Sequence, residues 1–426
     1  MAILSAAVTL AAPFGHIESG DPLYPSQWWY PRIGADLVEP PAPTVPVTLI
    51  DTGLDLAHPE FAGRPDTELL NEQSSGAAEA HGTAVASVLA APANGVGVVG
   101  AFPRVSFRVW DASPRGLVSV RQIAAGLDAA AARGRGVVSI SVGGSFREPI
   151  LEQAVLNAFN RGVVVVSASG NAATEGNALS YPGALPHVLT VGATTRDDQP
   201  AIFSTRSRFV DVAAPGVEIP AAVSPDGYGL GEGTSYSAPM VAAAAAWIWS
   251  ARPKLDKTQV VELIRRTARD LGAPGRDDDT GFGLLDLPAA LAAAAPSADP
   301  QEPNDDVDQV AAGGRFAKAK APLTRPGKLR ATLRARLDVP EDPRDVYRIW
   351  IPAGRRVEVV ARSTRDLRLA FRRRSGTVVA RGTGRVAALN RTARGRYDYV
   401  EVKVPPTAGS DSAAYTLSVT TGPIRP

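Results

Sequence analysis

The sequence lacks cysteine altogether, and its 426 residues include only two methionines and four histidines. Without cysteine the chain can form no disulfide bond, no thiolate metal site and no cysteine nucleophile. No apolar stretch reaches the roughly 18 residues that a transmembrane helix requires. With 45% hydrophobic and 21% charged residues, the composition is that of a globular protein. A chain of this length is expected to form more than one domain.

Basic residues are missing from the start of the chain, where the first is Arg32. Residues 2–12 have the length and apolar character of the hydrophobic region of a signal peptide, but no charged region precedes them. Residues 1–20 are therefore interpreted as a remnant export signal or a truncated leader, with a true start further upstream as the alternative. Only 50 residues precede Asp51, so no pro-domain is expected within the chain. The export signal favours an extracellular protein.

Three short motifs supply a carboxylate, an imidazole and a hydroxyl, in that order. Asp51 lies in LIDTG, at the end of an apolar run that predicts a buried strand. His81 lies in HGT, before a segment that predicts a buried helix. Ser235 lies in GTSYSAP, at the start of another apolar helix, whose free N–H groups favour developing negative charge. In open parallel sheets the reactive crevice lies beyond the carboxyl ends of the strands, where Asp51 is predicted.

These three residue types together suit nucleophilic catalysis. A serine hydroxyl is a weak nucleophile until a histidine accepts its proton, and a carboxylate fixes the tautomer of that histidine. Taken singly, Asp51 has an alternative role as a turn residue, His81 as a structural histidine and Ser235 as a helix N-cap. All three motifs occur in one chain in this order, at separations of 30 and 154 residues, and this argues against coincidence.

The motifs, in this order, resemble those of the subtilisin-like serine peptidases, the subtilase family. The resemblance implies an α/β, three-layer fold with a mostly parallel sheet, and a serine endopeptidase that needs no cofactor for its chemistry. It implies Ser235 as the nucleophile, His81 as the general base and Asp51 as the group that orients His81. His58 is interpreted as structural. The alternative hypothesis is a catalytically silent binding protein on the same scaffold.

A strand-like apolar segment ends in Ser169-Gly170-Asn171. Acyl transfer passes through an oxyanion that requires fixed hydrogen-bond donors. In the resembling family, the amide of an asparagine at the end of such a strand is one donor, and the N–H of the catalytic serine is another. Asn171 matches that asparagine, although Gly-Asn is also an ordinary turn dipeptide.

The substrate-binding residues follow from the same resemblance. Seven positions match: Ser141, Val142, Gly143, Gly144, Ser169, Gly170 and Ser180. The first four match a segment that pairs with the substrate backbone and forms one wall of the primary specificity pocket. The next two match the opposite wall, and the last matches the base. None is charged, so the pocket is expected to accept a large uncharged side chain; alternatively, the two glycines only mark a strand exit.

The resemblance also indicates a site for a structural calcium ion. Glu60 and Asn94 match positions that bind calcium in subtilisins, and residues 95–98 are expected to offer carbonyl oxygens, which calcium prefers. Glutamate replaces the usual aspartate, and Pro92-Ala93 departs from the polar loop of the family. The alternative is that Glu60 is a surface acid and Asn94 a turn residue.

The chain changes character after residue 295. Residues 296–306 have the composition of a linker, which places a catalytic domain over 21–295 and a second domain over 307–426. Short alternating segments with turn signals predict an antiparallel β-sandwich for the second domain. Its opening sequence, Glu302-Pro303-Asn304-Asp305, resembles that of the pre-peptidase C-terminal domains of secreted peptidases.

The second domain is strongly basic. Residues 302–426 contain 25 lysines and arginines against 13 acidic residues. Arginines that alternate along strands are typical of a solvated sheet face, and no nucleic-acid motif is evident, so no specific nucleic acid is expected to bind. The expected partners are protein or peptide substrates, with weak contacts to anionic surfaces, and the expected state is a monomer.

Overall fold

The computed structural model describes residues 19–73, 80–223, 225–299, 301–338, 342–405 and 412–424. The interpretation of residues 1–20 as a leader therefore lies outside the described residues, except for its last two. The N-terminal part begins with short helical turns at Tyr24–Ser26, at α1 (Trp29–Arg32) and at Ala35–Leu37. Trp29 and Tyr30 are completely buried and join the main core.

A seven-stranded parallel sheet is the centre of the N-terminal domain. Its strands, in chain order, are β1 (Val47–Asp51), β2 (Thr67–Leu69), β3 (Phe107–Asp111), β4 (Gly136–Ile140), β5 (Val163–Ala168), β6 (Val188–Thr194) and β7 (Val212–Pro215). They lie in the order β2-β3-β1-β4-β5-β6-β7. Every residue of β1, β4 and β5 is buried. A parallel sheet covered on both faces needs such continuous apolar strands.

Helices cover both faces of the sheet. They are α2 (Ala80–Ala90), α3 (Val120–Ala132), α4 (Pro149–Asn160), α5 (Thr234–Ala251), α6 (Lys257–Thr267) and α7 (Leu287–Ala292). Val164 and Val166 of β5 point into the core shared with α2 and α5, whereas Val163 and Val165 point into the core shared with α3 and α4. This alternation is the period of two of a strand. The predicted three-layer α/β fold is therefore confirmed.

The helices that carry His81 and Ser235 are longer than the apolar runs that predicted them. Helix α2 begins at Ala80, so His81 and its glycine lie within its first turn. Helix α5 begins at Thr234, and Pro239 lies inside it. Helix α7 ends at Ala292, three residues before the predicted boundary at 295. Polar residues occupy the first turns of α2 and α5, so periodicity of apolar residues alone does not detect those turns.

A second, all-β region follows. A hairpin of β8 (Ile219–Val223) and β9 (Gly227–Gly231) belongs to the N-terminal domain, and a short helix α8 (Val307–Val310) precedes the second region. Its strands are β10 (Ala331–Asp338), β11 (Arg344–Ile351), β12 (Arg355–Ser363), β13 (Arg368–Arg372), β14 (Val378–Thr383), β15 (Arg385–Asn390), β16 (Arg396–Lys403) and β17 (Ser412–Pro423).

These strands form two antiparallel sheets, in the orders β10-β17-β12-β15 and β11-β16-β13-β14. Apolar side chains from both sheets share one core, which is separate from that of the parallel-sheet domain. An all-β C-terminal region is thus confirmed.

Several arginines on its surface pair with acids rather than facing only solvent: Arg373 and Arg396 contact Asp398, and Arg372 contacts Glu401.

Candidate active site

Asp51 is the last residue of β1, and none of its surface is exposed. Its Oδ1 accepts a hydrogen bond from the N–H of Thr52 (2.8 Å) and lies 2.7 Å from Nδ1 of His81. Its Oδ2 is buried and has no hydrogen-bond partner within the described part of the chain. A buried carboxylate with one committed contact to an imidazole holds that ring in one orientation and one tautomer.

His81 lies in the first turn of α2, with 38% of its side chain exposed. The negative charge of Asp51 raises the pKa of the imidazole, against an opposing effect of burial. The Nδ1 of the ring faces the carboxylate, so Nε2 is the ring nitrogen that is not committed to Asp51. This is the arrangement that a general base requires.

Backbone contacts explain why small and hydroxylated residues flank Asp51 and His81. The N–H of Gly82 donates to Oγ1 of Thr52 (2.9 Å), and the N–H of Asp55 donates to Oγ1 of Thr83 (2.9 Å). A side chain at Gly82 would overlap the carbonyl oxygen of Gly53. The two motifs are thus fastened to each other, which fixes the separation of the carboxylate and the imidazole.

Ser235 is the second residue of α5 and is half-buried. Its hydroxyl donates to the carbonyl oxygen of Ser141 (3.2 Å), and the hydroxyl of Ser141 donates to the carbonyl oxygen of Ser235 (2.9 Å). Ser141 follows β4, so this reciprocal pair ties the start of α5 to the carboxyl end of the sheet. The ring of the next residue, Tyr236, lies 6.5 Å from that of His81, edge to face.

Asn171 lies three residues beyond β5, on the same side of the sheet, and its side chain is exposed. Its Oδ1 accepts hydrogen bonds from the N–H (3.0 Å) and the hydroxyl (2.9 Å) of Thr234. With the carbonyl end held by two donors, the amide nitrogen is directed away from Thr234 and available to an acceptor. Thr234 therefore links Asn171 to Ser235.

The predicted pocket residues lie together. Gly144 and Tyr181 exchange two backbone hydrogen bonds (3.1 and 2.8 Å). A side chain at Gly143 would overlap the carbonyl oxygen of Tyr181, and one at Gly170 would approach Cβ of Ser180 within 2.8 Å. Glycine is needed at both positions because the segments after β4 and β5 approach the same backbone. Ser169 is buried behind this surface, and Val142 packs against the core beside α3 and α4.

Glu60 and Asn94 contact the loop that was expected to bind calcium. Glu60 Oε2 accepts from the N–H of Val98 (3.1 Å), and Asn94 Oδ1 accepts from the N–H of Val96 (3.0 Å). The N–H groups of residues 94, 95 and 96 donate to Asp21 Oδ1. These contacts engage the N–H groups of the loop rather than its carbonyl oxygens, so a calcium site here stays a prediction.

The comparisons with known proteins agree with this geometry. The model of the subtilase family of peptidases matches residues 43–283, a range that includes Asp51, His81, Asn171 and Ser235. The chain belongs to the subtilase family. It is 35% identical over 250 residues to Subtilisin BL from Lederbergia lenta, which covers 58% of this chain and 90% of that protein.

Other relatives support the same assignment. An alkaline protease from Alkalihalobacillus alcalophilus is also 35% identical over 250 residues, which cover 64% of that longer protein. Among solved structures, the subtilisin-like protease Apa1 from Pseudoalteromonas sp. AS-11 has 20% identity and a TM-score of 0.53, and covers 62% of this chain. That likeness supports the fold alone. As a subtilase, the chain is a serine-type endopeptidase whose substrates are proteins or peptides.

Sequence reasoning missed the residues that hold the site in place. Thr52, Thr83 and Thr234 each fasten one catalytic motif to another. The only available signal was that a threonine lies within two residues of each of the three motif residues in the sequence.

No helix in the described ranges is long and apolar enough to cross a membrane.

Proposed function

We propose that the protein hydrolyses peptide bonds through an acyl-enzyme formed on Ser235. The observation that carries this proposal is the 2.7 Å contact between the buried Asp51 and Nδ1 of His81. Ser235 lies in the first turn of α5, and the ring of the next residue, Tyr236, lies 6.5 Å from that of His81. His81 accepts the proton of the Ser235 hydroxyl as Oγ bonds to the scissile carbonyl carbon. The hydroxyl must first leave the carbonyl oxygen of Ser141, to which it donates here.

The remaining steps use the same groups. The tetrahedral oxyanion is stabilised by the amide of Asn171 and the backbone N–H of Ser235. Collapse of this intermediate breaks the C–N bond, and His81 returns the proton to the leaving amine. A water molecule then repeats the sequence at the acyl carbon: His81 takes its proton, and Ser235 is released with its hydroxyl restored.

Substrate is proposed to bind along Ser141–Gly144 as an added strand, with its P1 side chain between that segment and Ser169-Gly170. Ser180 closes the base of the pocket, and its hydroxyl approaches the position that a Gly143 side chain would occupy. Because these positions carry no charged side chain, we propose a preference for large uncharged P1 residues. A panel of peptide substrates that differ only at P1 tests this; highest kcat/KM for Lys, Arg, Asp or Glu would contradict it.

The proposed location is extracellular, on the strength of the apolar residues 2–12. The protein is proposed to act as a monomer, and its basic C-terminal domain to contact anionic surfaces weakly. Secretion is tested by expressing the full chain in its host and assaying the culture medium and the cell fraction separately.

Covalent labelling separates the active peptidase from a silent scaffold. A fluorophosphonate probe phosphonylates a serine that an adjacent base activates, with fluoride as the leaving group. The full chain should incorporate one equivalent of probe on Ser235, and Ser235→Ala should incorporate none. Intact folded protein that fails to react and fails to cleave casein would overturn the proposal in favour of a binding protein.

A further inference from the structure

A cavity of about 570 Å³ lies between helix α6 of the peptidase domain and the sheet that contains β10, β17 and β12. It is separate from the candidate active site, since Asp51, His81, Asn171 and Ser235 are not among the residues that line it. Its volume is in the range of pockets that enclose small organic ligands. Because both domains supply its walls, a ligand held in this junction cavity would contact both of them.

Two arginines flank one threonine on the sheet wall of the junction cavity. Arg334 of β10 and Arg362 of β12 are both in register with Thr416 of β17, the strand between them. Residues directly opposite one another in neighbouring strands point to the same face of a sheet. That face is the outer one, because the adjacent residues Ala335 and Leu417 belong to the core of the β-sandwich. With strands about 4.8 Å apart, the Cα atoms of the two arginines are separated by roughly 10 Å.

The other arginines of the junction cavity are already paired with acids. The pairs are Arg265 with Asp338 (3.0 Å), and Arg266 and Arg336 with Glu262. Arg334 and Arg362 are exposed, and neither forms an ion pair with any residue that the structure describes. A guanidinium group donates in a fork that matches the oxygens of an oxyanion. Two such groups on either side of the Thr416 hydroxyl therefore suit one anionic group.

The buried part of the junction cavity restricts where an anion can lie. Asp299, Glu302 and Asp342 line it there, and all three are buried. Burial raises the pKa of each of these carboxyl groups, so their charge is reduced but not abolished. Like charges repel, and the repulsion is stronger for a dianion than for a single negative charge. An anionic group is therefore expected at the exposed arginines, and a carboxylate fits better than a phosphate.

Apolar side chains form a further part of the wall. Val261 of α6 and Ala298 of the linker are half-buried, and Ala414 of β17 is exposed. Ala414 lies two residues before Thr416 and so on the same face of the sheet. An apolar group placed beside Thr416 would cover this surface, and the removal of apolar surface from water is favourable. The junction cavity thus combines a carboxylate site with an apolar site next to it.

We propose that the junction cavity binds the C-terminal end of a peptide whose last residue is large and apolar. The free carboxylate lies between Arg334 and Arg362, and the last side chain lies against Val261 and Ala414. Cleavage of a protein after a large uncharged residue creates such ends, so the source of this ligand rests on the proposed function. Because the peptide contacts both α6 and the sheet, its binding stabilises the junction of the two domains.

The test uses the full chain carrying Ser235→Ala, so that autolysis is absent and binding is measured independently of the proposed peptidase mechanism. Titration calorimetry compares an N-acetylated alanyl-alanyl-phenylalanine that has a free carboxylate with the same peptide as a C-terminal amide, with decanoate and with inorganic phosphate. Hydrogen exchange at residues 258–266 and 414–418 distinguishes the junction cavity from the peptidase site.

The variants remove either the charge or the space. Arg334→Gln and Arg362→Gln each remove one guanidinium group, and Ala414→Phe fills the cavity without a change of charge. The matched control is Arg381→Gln, because Arg381 is also an exposed strand arginine but lies in β14 of the other sheet.

The peptide acid should bind and slow hydrogen exchange at both segments, and the amide should bind at least about 10-fold more weakly. Each arginine variant should weaken binding of the acid by roughly 10-fold, Ala414→Phe should abolish it, and Arg381→Gln should bind as the parent does.

Equal binding of the acid and the amide, or unchanged affinity in all the folded variants, would overturn the proposal. Protection confined to the peptidase site would do the same, and so would binding of decanoate or phosphate without binding of the peptide. None of these results depends on labelling of Ser235 by the fluorophosphonate, so this proposal and the proposed function can fail separately.

Discussion

The hydroxyl of Thr52 accepts a hydrogen bond from the backbone N–H of Gly82 at 2.9 Å. This contact joins the residue after Asp51 to the residue after His81. It therefore fixes the approach of helix α2 to the end of strand β1. The distance of 2.7 Å between Asp51 and His81 depends on that approach.

Removal of this link is the first test. Thr52→Val keeps the shape of the side chain but leaves the N–H of Gly82 without its acceptor, at a cost to the free energy of unfolding of about 1–3 kcal/mol. We expect kcat to fall by roughly 10-fold with little change in KM, since the triad is displaced and the substrate pocket is not. Thr52→Ser retains the hydroxyl and should restore kcat. Equal kcat in Thr52→Val and the parent would show that the contact does not position His81.

Asn171 gives the second prediction. Asn171→Ala removes the proposed side-chain donor and should lower kcat about 100- to 1,000-fold. The oxyanion forms in the transition state and not in the bound substrate, so the loss affects kcat. KM should stay near the parent value. Thr234→Val is the companion variant, since it leaves the amide but removes one of the two donors that orient it; we expect an intermediate loss of kcat. A large increase in KM with unchanged kcat in Asn171→Ala would contradict the assignment.

The third prediction concerns pH. Asp51 raises the pKa of His81 above its ordinary value of 6.5, and His81 must be neutral to accept a proton. Activity should therefore be low in acid and rise with pH through a midpoint above 6.5. In Asp51→Asn the midpoint should move to lower pH, and kcat should fall by about 10⁴-fold. The pH profile of kcat/KM for a neutral peptide measures both effects. An acid limb in Asp51→Asn at the same pH as in the parent would refute the proposed coupling.

The sequence was sufficient for the parts of this molecule that short motifs and apolar runs encode. β1, β5 and α5 were predicted because each contains a run of mainly apolar residues, and Asp51, Asn171 and Ser235 lie within three residues of an end of these elements. The bonds of Thr52, Thr83 and Thr234 were not predictable, because a threonine beside a motif gives no indication of which distant N–H it meets. The contacts of Glu60 and Asn94 were not predictable for the same reason: matching positions do not reveal which loop N–H groups their side chains accept.

Acidic residues near the junction of the two domains show the same limit. Glu302 lies in a segment with the composition of a linker, which predicts a solvated charge, yet it is buried. Asp342 and Asp345, some 40 residues later, are buried just before β11 and at its start. No local sequence pattern encodes the packing that buries these three carboxylates.

Glu60 leads to a prediction about stability. Burial raises the pKa of Glu60 from 4.5 to about 7. Between these values the folded protein holds a proton that the unfolded chain releases, so the free energy of unfolding should decrease as pH rises from 4.5 to 7 and level off above. The contribution is up to about 3 kcal/mol. Glu60→Gln should flatten this part of the profile measured by urea unfolding. An unchanged slope in the variant would show that Glu60 titrates at its ordinary pKa.

The residue beside Ser235 leads to a prediction about sensitivity to oxidation. In the familiar bacterial subtilisins a methionine follows the catalytic serine, and its sulfoxide places a polar oxygen against the oxyanion site. Here Tyr236 occupies that position, and Met240 has no exposed surface within α5. Burial should slow the oxidation of Met240, so moderate peroxide should leave most peptidase activity intact. Tyr236→Met is the matched control, since it puts a half-buried thioether beside Ser235, and it should lose most of its activity under the same treatment. Rapid inactivation of the parent in step with Met240 sulfoxide, followed by mass spectrometry, would mean that α5 opens more readily than its packing indicates.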